Sequence, residues 1–194
     1  MNPRSIIIFA SGTGSNAQKI IDFFRNDPSV NVCLIVSNKP EAGVLNIAEN
    51  EGIPTLVIEK ERFFRGDAYI KDLHDFHPAL IVLAGFLWKL PPALVKAFPR
   101  KIINIHPALL PSHGGKGMYG HFVHEAVIDA KEVETGITIH YVDELYDHGE
   151  YIFQARVSVE NYDTADTIAR KVLQLEHEHF PRVIQSLLLT QTVQ

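Results

Sequence analysis

At 194 residues, with 46% hydrophobic and 21% charged residues, the chain has the size and composition of one ordinary globular domain. Its net charge of −5, from 18 basic and 23 acidic residues with no Lys/Arg run, argues against nucleic acid as a partner and leaves room for one small-anion pocket. The single cysteine, Cys33, excludes an intrachain disulfide and reads as a small hydrophobe in a reducing compartment.

Residues 5–10 form a continuous apolar strand, too short for a secretion signal and interrupted at once by Gly12-Thr13-Gly14. Residues 15–24 follow with helical spacing of Ile20, Ile21, Phe23 and Phe24. A strand over 30–36, a helix over 43–50 ending before Gly52, a short strand over 55–58 and a helix over 67–76 come next. Then come a strand over 80–84, a helix over 91–98 opened by prolines, and a strand over 102–106. Near-continuous apolar strands separated by helices imply a mostly parallel sheet covered on both faces. The second half differs: 122–130 reads as a helix, while 136–142 and 151–159 read as strands added antiparallel. Residues 164–189 are helical in spacing, with Pro181 expected to kink or break them. No segment approaches the ~20 apolar residues of a membrane span. The expectation is one α/β domain over 1–194, cytoplasmic, with no membrane partner, as a monomer or homodimer.

Ser11-Gly12-Thr13-Gly14-Ser15-Asn16 lies between the first strand and the first helix. Glycines there allow close approach, and helix N-terminal amides favour an anion. Gly14, Ser15 and Asn16 are therefore phosphate-binding candidates, the alternative being that Ser15 or Asn16 simply caps the helix. The run lacks the third glycine of GxGxxG and the GK[ST] of a Walker loop. Ser37-Asn38-Lys39-Pro40, not an acid, follows the second strand, so a small phosphate ester fits better than a dinucleotide.

Asn104 and His106 stand two apart at the end of an apolar strand that Pro107 halts, so they project from one face. An amide beside a group that trades protons near neutral pH suits acyl chemistry; the bland alternative is strand-end side chains bonding loop backbone. An acid from 143–149 would orient the imidazole, and spacing does not choose among Asp143, Glu144 and Asp147. His74/His77, His121/His124 and His177/His179 show no HExxH or cysteine partner, so they read as solvated or satisfied positions and no metal is expected. Residues 112–122, rich in glycine and carrying Lys116, fit either a mobile anion-facing flap or a plain surface loop.

Taken together these motifs resemble the folate-dependent phosphoribosylglycinamide formyltransferase family over nearly the whole chain. The resemblance rests on GTGSN, Ser37-Asn38-Lys39, Leu83-Ala84-Gly85-Phe86, Asn104-Ile105-His106-Pro107 with Leu109-Leu110-Pro111, and Gly136-Ile137-Thr138-Ile139-His140-Tyr141-Val142. Tyr146-Asp147-His148-Gly149 and Glu176-His177 complete it. It implies a Rossmann-like formyltransferase fold, a phosphate-binding half over 1–100 and a catalytic and folate-binding half over 101–194. It implies Asn104, His106 and Asp147 as catalytic trio, and Gly14, Ser15 and Asn16 on a ribotide phosphate. Leu87, Trp88, Lys89, Leu90, Asn104, Asp143 and Asp147 would line the folate, the 143–147 loop closing over its pteridine. Leu173, Gln174, Leu175 and Glu176 would meet a glycinamide substrate. The implied co-substrate is 10-formyltetrahydrofolate, with no metal, and the partner is glycinamide ribonucleotide. The sequence departs from the family pattern in placing Trp88 or Lys89 where an arginine is usual, and only Arg62 or Arg65 near the third crossover. A formyltetrahydrofolate hydrolase, methionyl-tRNA formyltransferase and a non-catalytic nucleotide-binding module are the rivals. The phosphate loop speaks against the first, the absence of a second basic domain and the acidic balance against the second, and Asn104, His106 and Asp147 counted together against the third.

Overall fold

The computed structural model describes residues 3–190. Its strands are β1 (Arg4–Phe9), β2 (Val30–Ser37), β3 (Thr55–Val57), β4 (Pro78–Leu83), β5 (Ile102–His106), β6 (Glu134–Tyr141) and β7 (Tyr151–Ser158). They form one seven-stranded sheet in the order β3-β2-β1-β4-β5-β6-β7. Pairings from β3 through β5 are parallel, and those of β6 with β5 and β7 are antiparallel. This is the Rossmann-like α/β arrangement expected, with antiparallel C-terminal strands.

Alternate residues of each strand enter separate cores, as a sheet covered on both faces requires. Ile6, Ile8, Leu80, Val82, Ile103, Ile105, Ile137 and Ile139 pack on one face. That face is covered by α1 (Ser15–Phe24), α2 (Gly43–Glu51) and α7 (Ala165–Thr190). Ile7, Phe9, Leu34, Val36, Ile81, Leu83 and Ile102 pack on the other, against Phe63 of α3 (Lys60–Phe63), Leu73 of α4 (Ile70–His74) and Leu94 of α5 (Pro92–Ala97). Toward the antiparallel end this second face turns polar, presenting Asn104, His106, Thr138, His140 and Gln154 in place of apolar side chains.

Three expectations change. The helix foreseen over 67–76 is only α4, and an unforeseen turn of helix, α3, precedes it. Gly66, at φ 102, separates them, and His77, at φ 47, turns the chain into β4 before Pro78. Pro181 does not break the last helix, which runs on to Thr190. Pro181 is itself buried beside Phe180 and Ile184 in the core, and that burial offsets the lost backbone bond, worth about 3 kcal/mol in an exposed helix. Cys33 is only half-buried; its Sγ donates to the Ile6 carbonyl at 3.4 Å, and burial pushes the thiol pKa up. Among the described residues no helix is long and apolar enough to cross a membrane.

The strand order reverses between β1 and β4, one neighbour running outward through β2 and the other through β5. Loops leaving the carboxyl ends of such strands diverge and open a crevice. Asn16, Asn104 and His106 lie at that crevice.

Candidate active site

Three motifs that are far apart in sequence converge on Ser11. Its Oγ donates to Asn38 Oδ1 at 2.6 Å and accepts from the Leu87 N–H at 2.9 Å, while its own N–H meets the Gly85 carbonyl at 3.1 Å. The loops after β1, β2 and β4 are thereby pinned together, and Ser11 has no hydroxyl proton left for a ligand. Gly14 takes φ 83 at the start of α1, and a Cβ there would lie 2.8 Å from Val44 of α2, so only glycine fits. Asn16 projects into the crevice and donates from Nδ2 to Glu176 Oε2 at 2.6 Å, leaving its buried Oδ1 without a partner. Burial pushes the Glu176 carboxyl up to about 6, against the Asn16 bond that favours the ionised form.

Asn104 and His106 do share a face, and β6 sets His140 beside Asn104 and Thr138 beside His106. His140 Nδ1 lies 2.8 Å from the Tyr141 carbonyl, so it carries the proton and Nε2 is the acceptor. Asn104 Nδ2 supplies the matching donor at 3.2 Å. The pairing orients the amide and leaves its second N–H free. His106 is almost fully buried, and its Nε2 meets the His113 carbonyl at 2.8 Å, which makes Nε2 the protonated nitrogen. Its Nδ1 then faces Asp147 Oδ2 at 3.6 Å, close enough for charge attraction and too long for a hydrogen bond. Burial lowers the His106 pKa, outweighing Asp147 and the His113 carbonyl, which both act upward. The resting ring is therefore neutral with a free lone pair on Nδ1. His140 is likewise lowered by burial.

The 112–120 segment is neither detached nor a plain surface loop. Besides the His113 carbonyl on His106, its Gly115 N–H donates to Asp147 Oδ2 at 2.9 Å. The His113 imidazole is anchored on Glu132 at 3.0 Å. Its backbone thus holds both members of the acid–imidazole pair.

A cavity of about 740 Å³ joins these groups. Asn104, His106 and Asp147 line it together with His140, and Asn16, Leu173 and Glu176 line one part of the wall. Leu87, Trp88, Lys89, Leu90 and Asp143 line another. Trp88 sits among Phe63, Phe64 and Phe86 with ring centroids 5.7, 5.5 and 6.3 Å away, and Lys89 Nζ lies 5.2 Å from the Tyr146 ring. Gly14, Ser15, Gln174 and Leu175 do not line the cavity; Leu175 packs on the first core. Neither Arg62 nor Arg65 reaches it, and Arg62 lies over the Tyr69 ring at 4.7 Å. His140 carried no assigned role in the sequence. Its alternation with Ile137 and Ile139 marked the face, but only the β5–β6 register shows that it meets Asn104. Among the described residues no group of His, Cys, Asp and Glu is placed to hold a metal.

His124, on α6 (His121–Asp129), departs from the solvated or satisfied position expected. It is buried against the cavity with Nδ1 unpartnered. Burial, then His121 and His106, lower its pKa from 6.5 to about 4. A histidine with a depressed folded pKa binds its proton more readily unfolded, so its contribution to stability is full above 6.5 and lost as pH falls toward 4. Acidification from neutrality to pH ~5 should cost wild type about 2 kcal/mol more than it costs His124→Phe. Urea unfolding of the two proteins at both pH values measures that difference, and equal losses would contradict it. Glu176 titrates with the opposite sign and cancels in the comparison.

A family model described as formyl transferase matches residues 4–184. The chloroplastic phosphoribosylglycinamide formyltransferase of Arabidopsis thaliana is 40% identical over 188 residues, covering 93% of this chain and 64% of that protein. The chain thus spans less than two thirds of that relative. The phosphoribosylglycinamide formyltransferase of Bacillus subtilis is 35% identical over 190 residues, covering 95% of both. The crystal structure of the enzyme of that name from Anaplasma phagocytophilum superposes with a TM-score of 0.88 at 34% identity, covering 97% of this chain and 88% of that one. With the sheet, the β1/β4 crevice and the Asn104–His106–Asp147 cluster already in place, these matches show that the chain belongs to the formyl transferase family, on its phosphoribosylglycinamide formyltransferase branch.

Proposed function

We propose that this chain transfers the formyl group of 10-formyltetrahydrofolate to the primary amine of glycinamide ribonucleotide. The products are formylglycinamide ribonucleotide and tetrahydrofolate, in de novo purine biosynthesis. The observation that carries this reading is the convergence of Asn104, His106 and Asp147 on the wall of one cavity of about 740 Å³. One part of its wall is polar, with Asn16 and Glu176, and another is apolar and aromatic, with Leu87, Trp88 and Leu90. The first suits an amine and a phosphorylated sugar; the second suits a flat heterocycle and its aminobenzoyl linker.

In this reading the first hundred residues take the phosphate at the N-terminus of α1, and residues 101–194 supply the chemistry. Glu176 accepts a hydrogen bond from the glycinamide amine, with Leu173 beside it. The amine nitrogen attacks the formyl carbon, and the carbonyl oxygen becomes an oxyanion. The free N–H of Asn104 meets that charge. The attacking nitrogen gives up a proton, which His106 Nδ1 accepts directly or through water. Asp147 then steadies the imidazolium formed, because the two are already 3.6 Å apart. When the tetrahedral centre collapses, the same proton goes to the departing folate nitrogen, which leaves with its bonding pair. No covalent enzyme intermediate is needed, and holding both substrates in one cavity supplies rate by proximity.

Purified protein incubated with 10-formyltetrahydrofolate should deformylate the donor only when glycinamide ribonucleotide is present, with one tetrahydrofolate formed per formylated ribotide. Equal turnover without the ribotide would mean that water is the acceptor and that the chain is a hydrolase. Absence of turnover with both would leave a binding module.

A further inference from the structure

A second cross-strand row stands beside His106. His106 of β5 pairs with Thr138 of β6, and Thr138 pairs with Gln154 of β7. The Thr138 hydroxyl is saturated: it accepts from the Leu110 N–H at 3.0 Å and from Gln154 Nε2 at 2.9 Å, and donates to the Ala108 carbonyl at 2.8 Å. With both lone pairs taken by N–H donors, its proton has only the Ala108 carbonyl to go to. Gln154 Nε2 spends its other hydrogen on the Leu110 carbonyl at 3.0 Å. Two side chains thus grip the 108–110 turn by both its N–H and carbonyl groups. Three residues beyond Leu110 lies the His113 carbonyl that fixes the His106 ring.

From this geometry we propose that Gln154 is a positioning residue, which acts through Thr138 and the 108–110 turn to hold the His113 carbonyl on His106 Nε2 and so keep the unprotonated Nδ1 on the Asp147 side of the ring in the cavity wall. The inference rests on the reading of His106 as the proton-transfer group. Gln154 does not line the large cavity, so it touches neither substrate. It does border a second cavity of about 230 Å³, shared with Leu110 and His113 on the far side of the turn. A truncated side chain would admit water there, and an unbranched apolar replacement of similar length gives the cleaner test.

The test combines steady-state kinetics of Gln154→Met with a ¹⁵N NMR measurement of the His106 tautomer. The expected result is a kcat lowered roughly 10-fold to 100-fold, with the KM of both substrates near wild type. The His106 signals should move from a pure Nε2–H form to a mixture. Thr138→Ser, which keeps the hydroxyl, should retain both the rate and the tautomer. Thr138→Val should reproduce the Gln154→Met defect, and the double variant should be no slower than either single one. Thr138→Val is isosteric and carries the same test if Gln154→Met fails to fold. A lowered unfolding midpoint with unchanged kcat and tautomer would overturn the proposal, as would a raised KM with unchanged kcat. If wild type transfers no formyl group to the ribotide, the functional reading falls, while the tautomer comparison still decides the role of Gln154.

Discussion

His106→Ala is expected to lower kcat by about 1000-fold, the upper range for loss of a positioned acid–base group, while both KM values stay close to wild type. The ring is buried between the β6 strand and the 112–120 segment, and its only unprotonated nitrogen faces Asp147. No other group in the cavity duplicates that arrangement. His140 commits Nδ1–H to the Tyr141 carbonyl and Nε2 to Asn104, and His124 titrates near 4. The rate should also follow the neutral form of His106. Burial depresses its pKa below the ordinary 6.5, so kcat should be flat at neutral pH and fall on an acid limb lying below 6.5. Steady-state rates across pH, with unfolding midpoints to verify the fold, check both statements. An intact variant with undiminished transfer rate would remove His106 from the mechanism.

Asn104→Ala should cost about 100-fold to 1000-fold in kcat, the usual consequence of deleting one preorganised oxyanion donor. Its amide is held by His140 at 3.2 Å before any substrate arrives, so no reorganisation accompanies the development of charge. Asn104→Asp keeps the shape but offers a negative acceptor to a negative oxygen, and should be slower than alanine. Single-turnover rates with saturating substrates isolate this step from binding. If the aspartate and alanine variants were both as fast as wild type, the oxyanion would have to be stabilised elsewhere.

Much of this site was legible in the sequence where short-range geometry carried it. Asn104 and His106 are i and i+2 on one strand, and the loop after β1 announces itself by its glycines. Asp147 was one of three candidate acids until the family resemblance chose it, because the fold of the 143–149 turn depends on contacts with β5 and the 112–120 segment. His140, Thr138 and Gln154 were out of reach for a related reason. Their neighbours across the sheet follow from antiparallel register, which no local pattern contains. The helix over 67–76 was drawn too long because the turn at His77 ends it early, the α3 turn before Gly66 was missed, and Pro181 was misjudged because burial compensates a residue that would stop an exposed helix.

The two-faced character of β5, β6 and β7 has a consequence for how this molecule tolerates change. On these strands the odd-numbered positions 103, 105, 137, 139, 153 and 155 serve cohesion. The even-numbered 104, 106, 138, 140 and 154 serve chemistry and its alignment. Chemistry and cohesion are therefore interleaved at single-residue spacing yet kept apart in space by the thickness of the sheet. Point substitutions can alter one ledger without touching the other, whereas inserting or deleting one residue within a strand would exchange the two and forfeit both at once.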